Sequence, residues 1–150
     1  MDFEKVVNDI KDYIETNLPG ALAVVEAAKT DLALGVPDLY LLDYPDRDIK
    51  RAIVLYIFPD EWKFQHTSNV RHEMSNNISI FITLRGSAPT QVTKMLRYIE
   101  ALYSLLNADD TLGNAVEGSE ITTINTYKTV EASDDSQALE VVLRVRSLVH

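Results

Sequence analysis

The chain has 150 residues, 46% apolar and 25% charged, enough for a single domain, 1–150, with a sizeable buried core. Its 14 basic residues stand against 23 acidic ones, and a net charge of −9 repels phosphate backbones unless the few cations converge. Without cysteine there are no disulfides, thiolate metal sites or cysteine nucleophiles, and no run approaches the roughly 18 apolar residues of a membrane span.

The acidic start Met1-Asp2-Phe3-Glu4-Lys5 is not a signal peptide, so the sequon at Asn77-Ile78-Ser79 reads as chance. Residues 2–17 read as an amphipathic helix, with Phe3, Val7, Ile10 and Ile14 on one stripe and Val6 and Tyr13 widening it. Asn17-Leu18-Pro19-Gly20 predicts its end, because proline disfavours helical geometry before it and glycine permits a reversal. Residues 21–32 predict a second, short helix. The span 35–50 reads as a long connection with a short strand at Leu39–Leu42.

Ala52–Phe58 is apolar at every position, the pattern of a strand covered on both faces, and Pro59-Asp60 predicts its end. A hairpin loop over Asp60–Asn69 then carries Trp62 and Phe64. The span 70–85 predicts a long strand: Ile78, Ile80, Ile82 and Leu84 alternate with Ser79, Phe81, Thr83 and Arg85, and Ser75-Asn76-Asn77 is a weak spot for a bulge. Ser87 and Pro89 suit the start of a long helix over about 88–107, with Val92, Met95, Leu96, Ile99, Leu102, Tyr103 and Leu106 facing in. Strands follow at 120–130 and 138–149, joined by a polar loop at 131–137. On the last strand Leu139, Val141, Leu143, Val145 and Val149 face in, while Glu140, Arg144 and Arg146 face out.

Short connections favour antiparallel neighbours, so the fold class is α+β. The expected architecture is a four-stranded, mostly antiparallel sheet, with an N-terminal helix or helix pair and the 88–107 helix packed on it.

Catalytic chemistry is hard to find. His66, His72 and His150 have no metal-ligand spacing, and His72-Glu73 does not open an HExxH motif. Asp43, Asp46 and Asp48 lack the glycine and the distal glutamate of a calcium loop, and read as a solvated connection. Asp109-Asp110 at a helix end points its carboxylates apart, which does not suit an acid/base pair. Gly20, Gly35, Gly86, Gly113 and Gly118 are scattered and form no phosphate loop. Arg71, Arg85, Arg144 and Arg146 lie on strands outside the apolar stripes. They form either one basic sheet face for an acidic partner or ordinary charges opposed by nearby carboxylates.

Four segments in this order carry a family likeness: "IKDYIETNLPGALAVVEA" (Ile10–Ala27), "NISIFITLRG" (Asn77–Gly86), "LYSLLNADDTLGNAV" (Leu102–Val116) and "LEVVLRVRSLV" (Leu139–Val149). With them the chain resembles the tail-terminator (tail-completion, neck) proteins of long-tailed bacteriophages. The D-x-T-L-G segment, here Asp109, Thr111, Leu112 and Gly113, is the most specific part. Trp62 and the 35–50 connection match no family pattern.

The resemblance implies a structural assembly protein, not an enzyme, with no cofactor and no metal. It implies a homohexameric ring on the last tail-tube ring that stops tube growth and presents a surface for the head. The implied partners are other copies of the chain, the tail-tube protein and a head-completion or connector protein; DNA crosses the lumen unbound, and no membrane is involved. The implied location is the tail–head junction of the virion, after synthesis in the bacterial host cytoplasm. A head-closure or neck connector of the same region is the alternative, and a small ligand-binding or metal-dependent α+β enzyme is a third reading.

A ring of identical subunits needs heterologous contacts, one patch meeting a different patch on the neighbour. The candidate interface residues are Trp62, Phe64, Arg71, Asp109, Asp110, Thr111, Leu112, Gly113, Asn114, Arg144 and Arg146. Trp62 either anchors such a contact or folds back over its own domain.

Overall fold

Six side chains, Val7, Ile10, Ile14, Leu18, Leu22 and Val25, are buried along one stripe of the N-terminal segment. In the computed structural model they belong to one continuous helix, α1 (Phe3–Ala28). The structure describes residues 2–45, 53–66, 72–85, 90–131 and 134–149, and leaves the side chains of 128–136 and Val149 undescribed. Arg71, Asp46, Asp48, Ser87, Pro89 and His150 lie outside the described residues.

The expected break at Pro19 does not occur, nor does a separate helix over 21–32. Pro19 sits inside α1, exposed, with no N–H to give the Glu15 carbonyl. A proline in a helix interior costs about 3 kcal/mol, whereas each large apolar side chain buried on the stripe contributes roughly 1.5–3 kcal/mol. Leu18, Leu22 and Val25 keep the 3–4 spacing across the proline, so burial wins over local propensity. Asp2 caps the start, its Oδ1 accepting from the Lys5 N–H at 3.0 Å.

The sheet has five strands rather than four, in the order β1-β2-β3-β5-β4. Strand β1 (Leu39–Leu41) pairs parallel to β2 (Ile53–His66), and every other pairing is antiparallel. The Asp38 N–H donates to the Ile53 carbonyl at 2.8 Å and ties β1 to β2. The expected Asp60–Asn69 loop is strand as far as His66. Phe58, Pro59, Trp62, Phe64 and His66 all keep cross-strand partners on β3 (His72–Arg85). A register shift between Pro59 and Trp62 absorbs the proline and the acidic pair Asp60-Glu61. The irregularity expected at Ser75-Asn76-Asn77 therefore lies on the facing strand. Asn76, buried, donates from Nδ2 to the Glu61 carbonyl at 2.8 Å and satisfies the bulge.

Helix α2 (Gln91–Ala108) starts at Thr90 instead of the Ser87 expected, without a side-chain cap bond. Strands β4 (Gly118–Glu131) and β5 (Asp134–Val149) run through most of the expected 131–137 loop. Both helices cover one face of the sheet. The main core joins Val7, Ile10, Ile14, Leu18 and Leu22 to Leu55, Ile57, Ile78, Ile80, Ile82, Leu139, Val141, Leu143 and Val145. The other face carries a smaller cluster, Val54, Tyr56 and Phe81 with Leu39, Leu41 and Phe58. Tyr44 lies edge-on over Phe58 and Phe81 at ring-centroid distances of 5.5 and 5.4 Å. That second cluster explains why Ala52–Phe58 is apolar at every position.

Candidate interface surfaces

The turn after α2 is built around Asp109. Its Oδ1 accepts from the Thr111 N–H at 2.9 Å and the Thr111 hydroxyl at 2.6 Å, and its Oδ2 accepts from the Gly113 N–H at 3.0 Å. The Thr111 hydroxyl, as the nearest donor, and the two N–H groups hold the Asp109 carboxyl below the ordinary range. The Thr111 Oγ1 in turn accepts from the Asn114 N–H at 3.2 Å. Asn107 stays helical and does not close the helix in a left-handed conformation. The left-handed residues are Leu112, Gly113 and Asn114, with φ of 51, 70 and 67°.

Leu112 adopts that conformation because its side chain, 1% exposed, drops into the main core. A Cβ on Gly113 would stand 3.0 Å from the Tyr13 ring of α1, so only glycine fits this close approach. Asp110, Gly113 and Asn114 are exposed, Thr111 is half-buried, and a shallow groove separates the turn from Lys5, Asp9 and Tyr13. Asp109 is thus the internal staple of the turn, and Asp110 is the acid left facing outward.

Trp62 is half-buried and folds back on its own domain, its ring edge-to-face on Phe3 at 4.9 Å. Phe64 also meets Phe3, at 6.2 Å, but is 54% exposed. Below them Phe3, Glu4, Val7, Leu42, Asp43, Phe58, Pro59 and Trp62 line an open apolar pocket of about 330 Å³. It lies where β1 has ended and β2 continues alone at the sheet margin.

Arg144 and Arg146 are exposed on the face away from the helices. Arg144 pairs with Glu120 at 3.2 Å, and the Arg146 guanidinium lies against Gly118, where a Cβ would stand 2.9 Å from it. The β3–β5 register sets Arg144 opposite Asn77, so Arg85 is eight β3 residues away, or about 26 Å. The arginines therefore do not form one patch. His66 and His72 face each other across the hairpin with ring centroids 4.2 Å apart, and among the described residues no three His, Asp or Glu side chains converge as a metal site. No described helix is long and apolar enough to cross a membrane.

Helix α2 holds the feature that periodicity misassigned. Met95, Leu102 and Leu106 are buried as expected, together with Tyr98, Ala101 and Leu105. Val92, Leu96 and Tyr103, expected in the core, are 53%, 56% and 55% exposed. With half-buried Ile99 they form an apolar stripe at i, i+4, i+7 and i+11 beside the core stripe. The signal was an apolar arc too wide for one sheet to cover. Arg97 marks the opposite side of the helix, where it meets the Lys29 carbonyl at 3.4 Å and Asp31 at 2.8 Å just past the end of α1.

No protein-family model and no curated protein matches the chain. Among solved structures, a chain from the virion of a native gene transfer agent (GTA) particle is similar, with 11% identity and a TM-score of 0.44 over 88% of this chain and 92% of that one.

Proposed function

We propose that the protein is a structural component of a phage-type particle, a tail terminator that caps the tail tube as a homohexameric ring. In this role it stops tube growth and offers the joining surface for the head, and it performs no catalysis. The observation that carries the reading is the uncovered apolar stripe of α2. Three large apolar residues, each more than half exposed on one helix, are the mark of a surface that a second protein covers. The ordered resemblance of four segments to tail-terminator proteins supplies the kind of assembly.

The test mixes the purified protein with tail tubes whose ends are open. Rings seated on tube ends, and a mass in solution that rises with concentration, are expected. A strict monomer that never binds tube ends overturns the reading. Binding to the head connector but not to the tube would turn it into the neck-connector alternative.

A further inference from the structure

The two uncovered apolar surfaces lie on opposite margins of the sheet. The pocket around Leu42, Phe58 and Trp62 sits at the β1/β2 margin, beneath the start of α1. Helix α2 rests on β4 and β5, and its Arg97 side turns towards the end of α1, so the stripe of Val92, Leu96, Ile99 and Tyr103 faces the β4 margin. About four strand spacings, or roughly 19 Å, separate the two margins. One surface is a convex ridge and the other is concave.

They also lie level along the strands. The Gln91 side chain bonds the Arg85 carbonyl at 3.4 Å and fixes the start of α2 against the end of β3. Twelve helical residues later Tyr103 has risen about 18 Å, the length of between five and six strand residues. That brings it level with Ser79 and Ile80, whose β2 partners are Phe58 and Ile57, at the pocket itself. Rotation about an axis along the strands closes a ring only if joined patches share one height. The pocket rim carries Glu4 and Asp43, acceptors for a phenol, and the ridge presents the Tyr103 hydroxyl as donor.

We infer that a second copy of this chain occupies the pocket, head to tail: Tyr103 and Leu96 on one copy seat against Phe3, Leu42, Phe58 and Trp62 on the next. The inference rests on the ring reading above and names its contact. Strand addition at the same margin is disfavoured, because β2 carries Pro59 and a bulge where another strand would pair. A foreign partner would account for one patch, whereas a copy accounts for both.

The chain has no native cysteine, so single cysteines report contacts directly. Leu42 and Tyr103 are 39% and 55% exposed, so Leu42→Cys and Tyr103→Cys leave the core intact, and within one chain the two lie far beyond the ~7 Å Cα separation a disulfide spans. The two variants are mixed and oxidised at a concentration where mass measurement shows assembly, with tube ends added. Mixed disulfides are expected to exceed either homodimer by more than tenfold, and to exceed the yield with Val24→Cys, on the outer side of α1, as partner. Assembly without preferential coupling overturns this contact and leaves the ring standing. Preferential Tyr103→Cys homodimers would show a two-fold helix contact and also overturn it. A protein that stays monomeric alone and beside tube ends overturns both.

Discussion

Asp109 and Asp110 are adjacent and identical in chemistry, yet the structure gives them different work. Asp109 accepts three hydrogen bonds inside its own turn, while Asp110 is exposed beyond the helix end. Asp109→Asn should therefore lower the thermal midpoint, and Asp110→Asn should leave it unchanged and act, if anywhere, on assembly. The depressed Asp109 carboxyl contributes stability that is present above its unfolded value near 3.8 and is lost as pH falls through the lower folded value. An acid titration of the midpoint should lose that component in Asp109→Asn and keep it in Asp110→Asn. Gly113→Ala tests the same turn from the backbone side. A left-handed alanine costs about 1–2 kcal/mol, and denaturant unfolding should register at least that, since the new Cβ also presses on Tyr13.

Among the elements, α1 offers the sharpest test of burial against propensity. Pro19→Ala restores an N–H facing the Glu15 carbonyl and places a better helix former at an exposed site. It should raise stability by about 1–3 kcal/mol without changing the helix boundaries, read from denaturant midpoints and circular dichroism. The same competition explains what was legible beforehand. The alternations Ile78 to Leu84 and Leu139 to Val145 were readable because a two-residue period with one covered face admits a single register. The outer half of β2 was not, because Pro59, Asp60 and charged neighbours are loop signals, and only pairing with the ready-made β3 edge overrides them. For the interface, the turn and Trp62 drew attention through composition. The α2 stripe stayed hidden, because an apolar residue facing a partner and one facing the core look alike along a helix.

For the molecule as a whole, alkaline pH probes how firmly the two layers are joined. Tyr98 on α2 donates its hydroxyl to the Gly35 carbonyl, and burial first, with Glu26, Asp38 and Tyr40 nearby, pushes its phenol up to about 12. Burial, followed by Glu15, raises Tyr40 to about 12 as well. Both phenols stay protonated in the fold where the unfolded chain begins to ionise near 10, so their contribution is complete below pH 10 and is lost as pH rises towards 12. Alkaline unfolding should steepen in that window, and Tyr98→Phe should flatten it at the cost of the Gly35 bond.

The two register shifts fall in the outer pairings, between Pro59 and Trp62 on β2 and between Ile121 and Thr123 on β4, while the β3–β5 ladder runs unbroken from His72 to Arg85. Bulges concentrate twist where they occur. The sheet therefore behaves as a stiff central keel with two compliant margins. Curvature imposed by neighbours is taken up at the rims, and the middle of each subunit keeps its shape under strain.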